Sequence, residues 1–190
     1  MVDRLALYTA KSTAKWLLDN VVGIDSVYVV SPDFDYDKKP DPSNPRDRIA
    51  RPLPFITVEI ISEESNAWTV SGNRLWTADI ELQIGVYGAG FAALQNMTGD
   101  TKQQLKLATN PSTLKPGIPL YDYGTPSGGY FDLVNTVPIE SMDPTNFFGP
   151  DTVKDQGNRR FRSLTSLYLS AFKDRSAELL EGLGNINVFE

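Results

Sequence analysis

Arg74-Leu75-Trp76-Thr77-Ala78-Asp79-Ile80-Glu81-Leu82-Gln83-Ile84-Gly85-Val86-Tyr87 is the stretch on which the fold turns. Trp76, Ala78, Ile80, Leu82, Ile84 and Val86 fall on one side of an extended chain, and Thr77, Asp79, Glu81 and Gln83 on the other. Such alternation makes a strand with one face on a core and one toward solvent or another subunit, the habit of antiparallel sheets. Just upstream, Ile56, Val58 and Ile60 alternate with Thr57 and Glu59. Ser71-Gly72-Asn73 supplies turn chemistry between the two segments, so a hairpin is expected.

Further elements follow on either side. Asp3 to Val21 is expected to be helical, with Asp3 as N-cap and Gly23 as the stop. Its buried stripe is read as Leu7, Ala10, Ala14, Leu17, Leu18 and Val21. Ser26 to Val30 reads as a short strand. Between Ser31 and Pro54 stand six of the 13 prolines, which predicts a long irregular loop. After the hairpin, Phe91 to Met97 and Asp100 to Ala108 read as two short helices ended by Asn110-Pro111. Pro111 to Gly129 reads as irregular. Phe131 to Glu140 alternates like an edge strand interrupted by Pro138. Asp143 to Gly157 reads as loop. Arg160 to Lys173 is expected to be the last long strand, although Leu164, Tyr168 and Phe172 also fit a helical period. The expectation is one α+β domain over residues 1–173: a mainly antiparallel sheet packed against an N-terminal helix and short helices, with long irregular loops. Residues 174–190 are read as a C-terminal extension.

Composition narrows the function. There is no histidine and no cysteine in 190 residues. A disulfide framework, a thiol nucleophile, a Ser-His-Asp triad and imidazole metal ligands are therefore excluded. We expect no enzyme and no cofactor. The net charge of −6 opposes a dedicated nucleic-acid binder, which carries a basic footprint. Charges interrupt the apolar pattern of the first 19 residues, so neither a signal peptide nor a membrane span is expected there.

Several motifs invite a sharper reading. Gly88-Ala89-Gly90-Phe91-Ala92-Ala93 has the form of a dinucleotide fingerprint, but the strand before it alternates instead of being apolar on both faces. No acid occurs between Thr101 and Tyr121 to hold a ribose. Asp33-Phe34-Asp35-Tyr36-Asp37 begins like a calcium loop, yet Lys38 stands where glycine is needed and Asn44 where a bidentate glutamate is needed. Arg159-Arg160-Phe161-Arg162 reads as a charged strand entry. Tyr121-Asp122-Tyr123 and Tyr130-Phe131 could stack bases or sugars, or simply pack locally. Phe147-Phe148 is an adjacent pair that its own segment can hardly bury, so a partner is expected to cover it. The loop from Asp33 to Leu53 is read as an interaction arm. Its apolar anchors are Phe34, Tyr36 and Ile49, and Arg46, Arg48 and Arg51 are available to a partner's acids. These residues together with Phe147 and Phe148 form the expected subunit interface.

The order helix, short strand, proline-rich loop, hairpin, small helices, strand and long final strand resembles the tail-terminator and neck proteins of tailed bacteriophages. The resemblance lies in element order, so no residue role is carried over. It implies a virion protein assembled in the host cytoplasm as a homo-oligomeric ring, commonly a hexamer, that caps the tail tube and joins tail to head. The implied partners are further copies of the chain, the tail tube and head-side neck proteins. DNA would pass through an acidic lumen without sequence-specific binding, and no membrane is involved. The alternative from another class is a monomeric binding module, or a carboxylate-dependent hydrolase acting on carbohydrate, with Asp33 to Asp37 as its site.

Overall fold

A computed structural model describes residues 5–70, 73–124, 128–149 and 161–174. The protein is α+β, with an N-terminal helix packed against a mixed sheet. Helix α1 is Leu5–Asn20, and strand β1 is Val27–Val29. A short antiparallel pair follows, β2 (Lys38–Pro40) with β3 (Arg48–Ala50). The expected hairpin is β4 (Phe55–Val70) and β5 (Asn73–Gly88), in register from Phe55 opposite Tyr87 to Val70 opposite Asn73. Helix α2 is Phe91–Lys106. Four short strands come next: β6 (Ile118–Tyr121), β7 (Leu133–Val137), β8 (Ile139–Met142) and β9 (Asn146–Phe148). Strand β10, Phe161–Asp174, completes the described chain.

The main sheet has six strands in the order β1-β4-β5-β10-β8, with β9 also on the outer side of β10. Only β1 and β4 run parallel. Strand β10 lies along β5 over its whole length, from Phe161 opposite Gly88 to Asp174 opposite Leu75. That pairing settles the ambiguity of this segment in favour of a strand. Leu167, Leu169 and Ala171 stand on the same face as Leu82, Ile80 and Ala78, and all are buried. On a helix Leu169 would lie about 200° from Leu167 and could not share its face.

Both helices cover this apolar face. Ala10, Ala14, Leu17 and Val21 of the α1 segment are buried as expected, but Leu7 and Leu18 are exposed. Thr9, Ser12 and Thr13 take the inward positions instead. Small hydroxyl residues allow close approach, and the hydroxyls of Ser12 and Thr13 find partners, whereas that of Thr9 has none. The Thr13 hydroxyl donates to the Thr9 carbonyl at 2.9 Å, and Ser12 Oγ accepts the Tyr121 N–H at 3.0 Å. Gly23 follows the helix with φ of +78°, the left-handed conformation that ends helices. The expected cap Asp3 lies outside the described residues.

Where two short helices were expected, α2 is one helix running through Gly99. Glycine within a helix costs roughly 1 kcal/mol relative to alanine. Leu94, Thr98, Thr101 and Leu105 form a continuous buried stripe on both sides of it, which outweighs that cost. The α2 stripe is fixed to β10 by the Thr98 and Ser163 hydroxyls, 2.6 Å apart, and to α1 by the Trp16 indole N–H, which donates to the Gln104 carbonyl at 3.0 Å.

Four further expectations are corrected. The region 31–54 is not wholly irregular, because β2 and β3 pair within it while remaining outside the main sheet. The region 111–129 contains β6, which pairs with β7 despite Pro119. Phe131 to Glu140 is not one strand: β7 belongs with β6, β8 belongs with β10, and Pro138 stands at the changeover. A residue with no N–H to donate is suited to that break. Gly117 makes the approach possible, since it has φ of +126° and an added Cβ would sit 2.5 Å from the Val137 carbonyl oxygen. Within 143–157, β9 adds a short strand, and residues 150–157 lie outside the description, as do Arg159 and Arg160.

Candidate interaction surfaces

The helix-free face of the sheet divides into two parts with opposite character. At the end nearest Gly88, Phe55 and Tyr87 stack with ring centroids 4.5 Å apart and nearly parallel planes. Tyr28 meets Phe55 edge-on at 5.7 Å, Phe34 meets Tyr28 at 5.5 Å, and Tyr36 meets both Phe34 and Tyr87. The guanidinium of Arg51 lies over two of these rings, 4.4 Å from Tyr28 and 4.1 Å from Phe34. Its Nε donates to the Asp35 carbonyl, and Arg51 is buried although it is charged. Phe34, Tyr36 and Arg51 therefore fold the base of the proline-rich segment back onto its own sheet. The arm is anchored here without a neighbour.

The same segment is internally wired. Asp35 accepts the N–H groups of Asp37 and Lys38 at 2.9 and 3.0 Å and lies 3.5 Å from Arg48. These N–H donors, aided by Arg48 and Arg51, hold its carboxyl below the ordinary range. A general acid needs the opposite shift, so the hydrolase reading gains nothing from this residue. Among the described residues no group of three or more acids is placed to hold a metal ion. Arg46, Arg48 and Ile49 remain exposed at the outer end of the β2–β3 pair. These three are the arm residues presented outward.

Tyr36 offers a direct check on the anchored base. Its hydroxyl reaches Glu59 at 3.5 Å, and burial, followed by the Glu59 charge, pushes its pKa up to about 12. A raised folded-state pKa means that stability is complete below the ordinary tyrosine value and is lost as pH climbs through the folded one. The urea midpoint should therefore fall between pH 10 and 12, and Tyr36→Phe should shallow that fall. Identical slopes in both proteins would show that Tyr36 is not held in this cluster.

Beyond the aromatic end, the open face is acidic. Three cross-strand rows run over β4, β5 and β10: Glu59 with Gln83 and Ser166, Ser62 with Glu81 and Tyr168, and Glu64 with Asp79 and Ser170. The rows contain four acids and no lysine or arginine. Ser170 donates to Asp79 at 3.3 Å, and Tyr168 donates to Asp143 at 3.1 Å. Successive rows are about 7 Å apart, within the ~8 Å screening length of physiological salt, so the charges act as one negative field. The alternation in the sequence placed Glu59, Asp79 and Glu81 on a polar face; register with β10 makes that face a surface.

Two aromatic surfaces lie elsewhere. Phe147 and Phe148 on β9 are both exposed, Phe147 against Phe91 at 5.8 Å and Phe148 beneath the Arg162 guanidinium at 5.2 Å. At the β1 edge, Tyr121, Tyr123, Tyr130 and Phe131 join Lys11, Lys15 and Val29 around a groove of about 650 Å³. Lys11 stands over the Tyr123 ring at 5.4 Å, and Lys15 pairs with Asp19 at 2.7 Å. The sequence marked the four aromatics separately; only the packing of α1 on β6 adds the lysines.

Gly88 and Gly90 join β5 to α2 in the strand-turn-helix order of a dinucleotide motif. Yet β5 is flanked on both sides by antiparallel neighbours, unlike the first strand of a nucleotide-binding unit. An added Cβ at Gly88 would lie 3.4 Å from Leu94, so this glycine serves the packing of α2. Among the described residues no helix is long and apolar enough to cross a membrane. Comparison with protein-family models and with curated sequences finds no match.

Proposed function

We propose that this chain is a structural virion subunit, a ring-forming tail terminator or neck protein that caps the tail tube and joins tail to head. The observation that carries this reading is the acidic open face of the sheet, backed by helices on its other side. In a ring with that face inward, four acids per subunit would repel passing DNA, which must slide without sticking. Element order supplies the resemblance, and the exposed aromatic surfaces supply places for neighbouring copies. The partners are then further copies, with a hexamer as the expected ring, together with the tail tube and head-side neck proteins.

Omitting the chain during particle assembly is the test. DNA-filled heads should accumulate beside unjoined tails whose tubes exceed normal length. Joined particles with tubes of normal length would contradict the proposal.

A second reading, the monomeric carbohydrate-binding module, is favoured by one observation, the groove of Tyr121, Tyr123, Tyr130 and Phe131. It requires a chain that remains monomeric and binds an oligosaccharide there.

A further inference from the structure

The β2–β3 arm and the acidic rows share one face of the main sheet. Tyr36 lies against the Tyr87 ring at 5.7 Å, and its hydroxyl reaches Glu59, an acid of those rows, at 3.5 Å. Arg51, buried over Tyr28 and Phe34, fixes the base of the arm, so the ribbon is held beside the open face. Charge is divided between the two. Residues 38–50 carry four bases and two acids, while the whole chain carries 18 and 24. Both acids of the ribbon are engaged in closing its end loop. Asp41 accepts the Ser43 N–H at 2.8 Å and the Ser43 hydroxyl at 2.6 Å, and Asp47 accepts the Asn44 side-chain N–H at 2.9 Å.

The bases are differently placed. Lys38, Arg46 and Arg48 are exposed and Lys39 is half-buried. Among the described residues only Arg48 of the four has an ion-pair partner, Asp35 at 3.5 Å, and both ends of that pair are open to solvent, which screens it. Register sets Lys38 and Arg48 on one face of the ribbon as diagonal neighbours, about 7 to 8 Å apart, and Lys39 on the other. Cations spread over both faces suit a charged backbone and not one set of base edges. Resting on the ring reading above, we propose that the β2–β3 arm is a DNA-backbone contact, in which Lys38, Lys39, Arg46 and Arg48 meet phosphates of the passing duplex. In a ring with the open face inward, the arm stands in the bore beside the DNA, and the acidic rows keep the duplex from adhering along the rest of that face. Arms from several copies act on one duplex, so contacts that are weak singly combine.

Fluorescence anisotropy of the full chain with a labelled duplex of about 30 base pairs tests the contact, and native mass of the same samples reports the ring. Four phosphate contacts imply an affinity that falls about 100-fold from about 50 to about 200 mM salt. Lys38→Ala, Lys39→Ala, Arg46→Ala and Arg48→Ala combined should weaken binding at least about 30-fold, with the melting temperature and the assembled mass unchanged. If the combined variant melts early, Lys38→Ala with Arg46→Ala, which breaks no ion pair, replaces it and should lose about 10-fold. Lys11→Ala with Lys15→Ala, on the helix side of the sheet, should leave binding as it was. Rings that do not bind the duplex at the lower salt, or that lose as much binding with the Lys11 and Lys15 changes, would overturn the arm's role and leave the ring reading standing. An arm variant that binds DNA normally but no longer assembles would also overturn it, because the arm would then hold an acidic protein surface. A monomer that binds the duplex through these four residues would overturn the ring reading alone, and a monomer that does not bind it would overturn both.

Discussion

Leu82→Ala is expected to destabilise the protein by about 3 to 4 kcal/mol, the cost of lost transfer energy plus the cavity left behind. Leu82 is fully buried at the middle of β5, with Ile60 opposite it on β4 and Leu167 opposite it on β10. Long strands on both sides limit collapse into the space. For a chain of this length the melting temperature should fall by roughly 10 °C. Leu82→Met, which conserves volume, should lose less than about 1.5 kcal/mol. A loss under about 1 kcal/mol for the alanine variant in a urea titration would mean that Leu82 is not in a three-strand core.

Arg51→Ala is expected to cost about 3 kcal/mol, an unusual amount for a charged residue in a proline-rich segment. Its guanidinium lies over the rings of both Tyr28 and Phe34, and it donates to the Asp35 carbonyl. Each desolvated cation–ring contact is worth about 1 to 2 kcal/mol, and a hydrogen bond from a charged donor adds about as much, though the terms overlap. Arg51→Lys should restore little, because an ammonium lacks the planar face that covers a ring. Truncation also frees the base of the segment from Phe55 and Tyr87, so limited proteolysis between residues 38 and 50 should accelerate. Wild-type stability with unchanged proteolysis would place the segment off the sheet.

Strands β5 and β10 are legible in the sequence because buried and more exposed residues alternate over 78–84 and 162–171, and alternation survives wherever one face meets a core. The aromatic end of the open face is not. Phe55 and Tyr87 sit where alternation predicts solvent, and they are buried because Tyr28 and Tyr36 pack against their rings. The local signal is the run of Phe34 and Tyr36, which in the sequence alone points to a partner and not to the chain's own sheet. On α1, hydrophobicity points Leu7 and Leu18 inward, whereas Thr9, Ser12 and Thr13 are inward by their small size, Ser12 and Thr13 with paired hydroxyls. Strand β6 was hidden by Pro116, Gly117 and Pro119, which read as a turn until β7 is present to pair with it. The groove at the β1 edge joins residues more than 100 positions apart, a proximity that no periodicity encodes.

Native mass spectrometry of the full chain at rising concentration, with negative-stain images of the same samples, tests the central claim most directly. The account predicts a closed ring with a central opening, formed by the chain alone or on addition of tail-tube or neck partners. A monomeric mass under every one of these conditions would contradict it.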